Sequence, residues 1–428
     1  MEHIKPIKIL EKDNSLKQKL AFFFTKHKVV AIITLIIVLL LLVIIAGWLI
    51  FKSVQNLREK NEASSSENID NSEGKNASQS AGPNFPGRSP LAPCFVDGKS
   101  VYERGIPNNR YGLYMVTDHT NLSLEKQLSE ISVLVNSNGG DWGYVLIPFW
   151  ITPKAYTENQ WQQFFTLAEK YHLIPIIQLQ TKKFGKDYME KRLTDSAKFL
   201  NSFYWPSSCR LITVFNEMNA LEYYPDGIDP EGYAEALQLA IDIFKKENGN
   251  FYMMNGALNT SARTGPRYLD TEDFMISMNN KVPGIFEKID GWAAHAYPQP
   301  EFSGDYYNPP SWYGKRDQIK SYEWELELLQ KHFNVTGLSV FITETGWAHK
   351  EGNNPKWQYK DSSITASYYD DAFKNIWGPD DRIKAIIPFI FNHNAWTNFN
   401  WMNDDGTCFA QCDVLKNLPK VKGEAELK

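Results

Sequence analysis

Residues 211–217 read Leu-Ile-Thr-Val-Phe-Asn-Glu, a short apolar run that ends in a carboxylate. Residues 339–344, Ser-Val-Phe-Ile-Thr-Glu, repeat this pattern. Runs of this length that are rich in β-branched and aromatic residues are typical of buried strands. Glu217 and Glu344 therefore lie at the ends of two predicted strands.

Six further apolar runs are spaced along the chain and alternate with segments of helical periodicity. This alternation predicts βα units, and the near-continuous apolar character predicts parallel strands covered on both faces. We predict an α/β fold, a (β/α)8 TIM barrel; an open doubly wound sheet is the alternative. The predicted strands are 111–116, 144–149, 174–179, 211–215, 251–255, 291–295, 338–343 and 385–391.

Helical periodicity is clearest in five segments between these strands. Thr157 with Gln160 forms a capping-box pattern, and Asp229 followed by Pro230 is a good N-cap and first-turn pair. After the eighth strand only 414–418 favours a helix, so we expect the last helix to be short, displaced or missing. The five predicted helices are 124–135, 161–171, 233–246, 317–333 and 362–377.

The segment from Val29 to Phe51 is apolar and uncharged. About 20 apolar residues span a bilayer, and the core of a cleavable signal peptide is shorter, so we predict one transmembrane helix that acts as a signal anchor. A cleaved signal sequence is the alternative. More basic residues precede the segment than follow it, which predicts a cytoplasmic tail at 1–28 and an extracytoplasmic catalytic domain.

Residues 52–92 are dominated by Ser, Asn, Glu, Gly and Pro and show no apolar periodicity. Such a composition cannot bury a core and predicts a flexible linker, with an ordered polar subdomain as the alternative. The remaining residues, 93–428, have the size of one α/β barrel.

Charge divides along the same boundary. Residues 1–60 hold ten basic and four acidic residues, whereas the rest of the chain holds 35 basic and 46 acidic residues. An acidic domain argues against nucleic acid or another polyanion as a partner, because such ligands need a basic patch. Neutral or cationic ligands fit this domain.

Four cysteines, Cys94, Cys209, Cys408 and Cys412, all follow the predicted membrane segment, where the compartment can be oxidising. The even count permits two disulfides. Cys408 and Cys412 could close a small loop, which would leave Cys94 and Cys209 to pair, but the sequence does not establish the connectivity. Free buried cysteines are the alternative. The spacing lacks the paired ligands of a zinc site, and we expect neither a metal nor an organic cofactor.

The residues at the predicted strand ends resemble those of the clan A glycoside hydrolases. In that clan an Asn-Glu pair follows the fourth strand and a Glu follows the seventh, which Asn216, Glu217 and Glu344 match. His295-Ala-Tyr297 after the sixth predicted strand is similar to the His-x-Tyr motif of family 5. In addition, Trp396 after the eighth strand resembles the clan's sugar-platform tryptophan.

The resemblance implies a retaining O-glycosyl hydrolase that cleaves β-linked oligo- or polysaccharides. It assigns Glu217 as acid/base, Glu344 as nucleophile and Asn216 as the residue that holds the sugar 2-hydroxyl. Tyr297 is then expected to hydrogen-bond Glu344, and His295 to bind substrate. The resemblance covers the fourth to eighth strands; it departs from family 5 at 148–150, Pro-Phe-Trp, where that family has an arginine.

Indole rings stack on the apolar faces of pyranose sugars, so the tryptophans that directly follow strands are candidate sugar contacts. On this basis we predict that Trp347 and Trp396 bind substrate. Four other polar residues after predicted strands are candidates to reach the same mouth: Asp118, His119, Gln180 and Asn255.

Two alternatives to hydrolysis stay open at this stage. A transglycosylase of the same fold would pass the glycosyl group to a sugar acceptor, and a catalytically idle barrel would only bind surface glycans. The sequence does not specify the sugar, the linkage, endo or exo action, or the oligomeric state, because loop shape decides the first three.

Overall fold

The computed structural model describes residues 92–151, 157–223, 227–305 and 314–423. The predicted cytoplasmic tail, the predicted transmembrane helix at 29–51 and residues 52–91 of the predicted linker lie outside these ranges. Within these four ranges, no helix combines the length and the apolarity that crossing a membrane requires.

Eight parallel strands follow one another in chain order around one sheet. Each pairs with the next in parallel, as the predicted βα units require. The strands are β1 Gly112–Tyr114, β2 Gly143–Trp150, β3 Leu173–Gln180, β4 Arg210–Val214, β5 Phe251–Asn255, β6 Gly291–Ala296, β7 Ser339–Thr345 and β8 Ile383–Pro388.

The sheet closes between β8 and β1, with a thin seam. Tyr111 and Ile386 form one parallel bridge. The N–H of Ile386 donates to the carbonyl of Arg110 at 2.8 Å, and the N–H of Phe391 donates to that of Tyr114 at 2.8 Å. The fold is therefore a closed (β/α)8 barrel, and the alternative of an open sheet is wrong.

Eight α-helices lie in the described residues, one after each strand. Two of them, α3 and α5, were not among the clear sequence predictions. Charged residues interrupt the apolar ones in α3, whereas α5 gathers its apolar residues in one run, 274–278, which is too short to show the repeated spacing of a helix face. The final helix, α8, is short, as expected. The helices are α1 Leu124–Val135, α2 Glu158–Lys170, α3 Lys186–Asn201, α4 Pro230–Glu247, α5 Thr271–Lys281, α6 Ser321–Phe333, α7 Ser362–Asp371 and α8 Ala410–Asn417.

Side chains alternate between two cores along each strand, because successive residues of a strand point to opposite faces. On β2, Tyr144 and Leu146 point into the barrel, whereas Val145 and Ile147 pack in the layer beneath the helices. All four side chains are buried. Both faces of the sheet are thus apolar, which explains why β2 reads as an unbroken apolar run.

A small N-terminal hairpin, Phe95–Val96 with Lys99–Ser100, lies at the end of the barrel where the strands begin. A disulfide joins Cys94 to Cys209, the residue just before β4. The other disulfide joins Cys408 to Cys412. All four cysteines are in disulfides, so the alternative of free cysteines is wrong.

Candidate active site

Neighbouring strands bring a histidine and a carboxylate together at the carboxyl end of the barrel. His295 on β6 and Glu344 on β7 are direct partners in the parallel register. Glu217 follows β4 by three residues. Strand ends in a closed barrel converge on one mouth, so residues distant in sequence meet there.

His295 lies between the two glutamates. Its Nδ1 is 2.9 Å from Oε1 of Glu217, a hydrogen-bond distance. Its Nε2 is 3.5 Å from Oε1 of Glu344; this contact is close enough for charge attraction but lacks the alignment of a hydrogen bond. The imidazole therefore links the two carboxyls that the sequence placed on separate strands.

Each carboxyl also accepts a hydrogen bond from another side chain of the site. The hydroxyl of Tyr297 donates to Oε2 of Glu344 at 3.1 Å, which confirms the expected contact. The amide of Asn259, which follows β5, donates to Oε2 of Glu217 at 3.4 Å. Sequence reasoning did not place Asn259 at the site, because it lies four residues beyond the end of its strand.

Burial and mutual charge determine how these groups titrate. Burial of Glu344 is the largest influence and raises its pKa; the charge of Glu217 acts in the same direction, while His295 and the Tyr297 hydroxyl act against it. Burial alone lowers the pKa of His295, but the charges of Glu344 and Glu217 outweigh it and leave that pKa raised. The histidine thus retains its proton more readily than a free imidazole.

The turn after β4 directs Glu217 into the mouth through unusual backbone conformations. Phe215 and Glu217 have φ of 71° and 43°, the left-handed region that non-glycine residues rarely adopt. The N–H of Glu217 donates to the carbonyl of Ala257 at 2.9 Å, which secures the turn. Such conformations cluster at functional sites, where surrounding contacts hold them.

Polar side chains form a hydrogen-bonded chain beside the carboxyls. The hydroxyl of Tyr114 donates to Oε1 of Gln178 at 2.8 Å, and the amide of Gln178 donates to Oδ1 of Asn216 at 3.0 Å. The amide of Gln180 also donates to Oε1 of Gln178, at 2.7 Å. Asn216 is thereby held in place at the edge of the cavity.

A cavity of about 400 Å³ opens at this mouth. Six of the seven predicted site residues line it: Asn216, Glu217, His295, Tyr297, Glu344 and Trp396. Three of the four further polar candidates line it too, namely Asp118, His119 and Gln180. The fourth, Asn255, is buried and hydrogen-bonds the backbone of Ala293, so it does not reach the mouth. Lining residues absent from the prediction include Tyr223, Phe389 and His393.

Trp347 does not line the cavity, which corrects the expectation of a sugar contact there. Its side chain is 1% exposed, and its indole N–H donates to the carbonyl of Gly304 at 2.9 Å. The ring packs against Tyr369 and Trp377 under the helices. Trp347 therefore belongs to the core.

Trp396 lies at the cavity, as predicted, and is 47% exposed. Its ring contacts Phe389 and Phe399 edge-on, with centroids 6.1 and 6.2 Å away. An indole that is supported by other rings and is about half exposed is suited to stacking on a sugar ring.

Metal ligation has no evident place in the described residues. Across those four ranges, no three His, Cys, Asp or Glu side chains are grouped so that they could hold an ion. In the cavity, Glu217 and Glu344 contact His295.

No protein-family model and no curated protein matches the chain. Solved glycoside hydrolases resemble it in fold. GH5_18 from Streptomyces cattleya, solved in complex with GlcNAc, is 13% identical with a TM-score of 0.50, and the match covers 73% of this chain and 80% of that one. A family 39 enzyme from the gut symbiont Bacteroides cellulosilyticus WH2 is 14% identical, with a TM-score of 0.49.

The match to the family 39 enzyme covers 73% of this chain and 64% of that one, so the chain spans less than two thirds of that protein's length. At 13% identity the likeness to GH5_18 shows the barrel fold alone, which agrees with the fold predicted from the sequence. A barrel supports many chemistries, so the function has to be argued from the site.

Proposed function

We propose that the chain is a retaining glycoside hydrolase that cleaves β-linked O-glycosidic bonds by double displacement. One observation carries the proposal: Glu217 and Glu344, from β4 and β7, both contact His295 and open onto the same cavity. Glycoside hydrolysis needs two carboxyls in different protonation states on either side of the scissile bond.

In the first step, a carboxylate oxygen of Glu344 attacks the anomeric carbon. As the new carbon–oxygen bond forms, the bond to the leaving oxygen breaks, and Glu217 transfers its proton to that oxygen. In the second step Glu217, now ionised, takes a proton from water. The water oxygen bonds to the anomeric carbon, and Glu344 departs as a carboxylate.

The contacts of Glu344 favour it as the nucleophile. The Tyr297 hydroxyl stabilises the negative oxygen that must leave in the second step. A protonated His295 compensates the charge of an ionised Glu344. In the reactive state, His295 is therefore the imidazolium cation, Glu217 is a neutral carboxylic acid and Glu344 is a carboxylate.

The cavity lining indicates the kind of glycan. Its described residues include four carboxylates, Asp118, Glu217, Glu222 and Glu344, and one lysine, Lys182. This balance disfavours anionic sugars and suits neutral or cationic ones. A volume of about 400 Å³ fits a site that encloses a sugar residue or two and leaves the rest of a chain outside.

Mechanism-based labelling tests the proposal. The protein is treated with a panel of activated 2-fluoro-glycosides, and the modified peptide is located by mass spectrometry. We expect a stable ester on Glu344 and no label in a Glu344→Gln variant, which should lose turnover but still bind glycan. A label on another residue would contradict the assignment, and a wild-type protein that binds glycans without labelling or turnover would favour the binding-only barrel.

We also propose that residues 29–51 anchor the enzyme in the membrane with its site outside the cytoplasm. The length of the apolar segment and the two disulfides support this, since disulfides persist in oxidising compartments. Full-length protein should resist alkaline extraction from membranes, and a variant lacking residues 1–52 should not. Cytoplasmic exposure of residues 93–428 in protease protection would contradict the orientation.

A further inference from the structure

The ring of His393 holds the loop after β8 in a tight turn. Its Nδ1 accepts hydrogen bonds from the backbone N–H groups of Ala395, at 2.9 Å, and Trp396, at 3.2 Å. With the ring reversed, a carbon would face both amide hydrogens, so the two contacts fix the position of the nitrogen. The turn carries Trp396, and His393 thereby determines where that indole lies.

The same contacts determine where the proton of His393 resides. A ring nitrogen that accepts two hydrogen bonds carries no proton, so the neutral ring is protonated on Nε2. Burial lowers the pKa of His393, and the nearby His119 does so to a smaller extent, while Asp118 acts in the opposite direction. His393 therefore stays neutral at pH values where an ordinary histidine begins to bind a proton.

His393 also joins two loops of the mouth. Its ring stacks on His119, which follows β1, with centroids 5.3 Å apart. The N–H of Asn394 donates to the carbonyl of His119 at 2.7 Å, and the N–H of His393 donates to Oδ1 of Asn400 at 2.8 Å. The ring is held in this way while it lines the cavity, and Nε2 has no partner among the described side chains and backbone groups.

We propose that His393 is a positioning and specificity residue of the glycan site. Through Nδ1 it positions Trp396, and through Nε2–H it donates a hydrogen bond to an oxygen of the sugar that stacks on that indole. This inference rests on the proposed function, because it requires a sugar in the cavity. Protonation of His393 at low pH would remove the acceptor and release the turn.

Kinetics of the full-length protein test the two parts separately. The probe is the 4-nitrophenyl β-glycoside that the wild type hydrolyses fastest in a panel. In His393→Asn the shorter side chain still accepts from the N–H two residues ahead, but its amide N–H groups lie too close to the backbone to replace Nε2–H, so we expect KM to rise about tenfold with little change in kcat. In His393→Phe both functions are lost, and KM should rise further. His172→Asn, a histidine distant from the mouth, is the matched control and should behave as the wild type.

Two further readouts separate a specific role from a structural one. Nitrogen NMR of the imidazoles should show an unprotonated Nδ1 and a protonated Nε2 at neutral pH, with the His393 signals identified by their loss in His393→Asn. In the wild type, KM should rise as pH falls through the lowered pKa of His393, and His393→Asn should lack this rise. Tryptophan emission should change in His393→Phe as Trp396 moves.

Each part has a result that overturns it. A protonated Nδ1 at neutral pH, or unchanged emission in His393→Phe, would overturn the positioning role. An unchanged KM in His393→Asn would overturn the donor role. If no glycoside is hydrolysed and Glu344 takes no label, the proposed function fails instead; the NMR and emission results still decide the state of His393.

Discussion

At the scale of single residues, the site depends on how protons are shared by Glu217, His295 and Glu344. His295 contacts both carboxyls, and Tyr297 and Asn259 each donate to one of them. Because His295 and Glu344 lie in contact, the charge of each shifts the pKa of the other. Two substitutions test the roles assigned to these residues.

Replacing Glu217 by Ala removes the proposed acid but leaves the nucleophile. A dinitrophenyl glycoside has a leaving group that needs no proton, so we expect its glycosylation step to be nearly preserved. A glycoside with an alkyl leaving group should slow by about a hundredfold or more. Pre-steady-state kinetics on both substrates measure this difference.

The matched control is Glu222→Ala, which removes another carboxylate of the same cavity. It should affect both substrates alike. Equal loss of rate on the two leaving groups in Glu217→Ala would show that Glu217 is not the acid.

Replacing Tyr297 by Phe should alter the pH profile. The raised pKa of Glu344 places the acid limb of kcat/KM above pH 4.5, because activity appears as this carboxyl ionises. The Tyr297 hydroxyl lowers that pKa, so its removal should move the acid limb to higher pH. Profiles of the wild type and Tyr297→Phe with one aryl glycoside measure the shift; a downward shift would contradict the assignment.

At the scale of secondary structure, α6 carries a buried carboxyl toward β6. Glu325 is fully buried, and neither oxygen makes an aligned hydrogen bond, although the indole of Trp292 lies near enough to lower its pKa. Burial is the larger influence and holds the pKa of Glu325 well above 4.5. The folded chain therefore keeps this group protonated where the unfolded chain ionises it.

This difference predicts a pH-dependent stability. Because the folded-state pKa is raised, the stabilisation is full below pH 4.5 and is lost as pH rises toward the folded pKa. The free energy of unfolding should fall by about 1.4 kcal/mol per pH unit in that window, relative to Glu325→Gln. Urea unfolding at several pH values measures it. Glu327→Gln, on the exposed side of α6, should keep the wild-type slope; a wild-type slope in Glu325→Gln would contradict the argument.

At the scale of the whole molecule, the barrel is closed at its seam by few hydrogen bonds and fastened at its base by a disulfide. The bond between Cys94 and Cys209 spans 115 residues, whereas that between Cys408 and Cys412 spans four. In the chain-entropy model a cross-link stabilises mainly by restricting the unfolded chain, more so for a longer loop. The two disulfides should thus differ in their contribution to stability.

Paired substitutions test this difference. The Cys94→Ser and Cys209→Ser double variant should lose about 5 kcal/mol of unfolding free energy, and the Cys408→Ser and Cys412→Ser variant about 2 kcal/mol. Denaturant unfolding of the domain with residues 1–52 removed compares them. An equal loss in both double variants would show that loop length is not the main cause.

The sequence by itself determined the order of the strands, the βα alternation and the strand-end positions of Glu217 and Glu344. These features follow from apolar periodicity, which depends on nearby residues. It determined the helices less fully: α3 was not predicted because charged residues interrupt its apolar face, and α5 was not predicted because its apolar residues form one short run without repeated helical spacing.

Only the tertiary structure decided which side chains meet at the mouth. Trp347 and Trp396 both follow strands, yet Trp347 turns into the core beside Tyr369, while Trp396 stays at the cavity on the turn held by His393. The direction of a loop side chain depends on contacts across the barrel, and no local pattern records them. For the same reason the sequence did not identify Asn259 and His393 as site residues. Closure of the barrel, the register of its strands and the two disulfide pairings also depend on contacts between distant residues, so only the structure shows them.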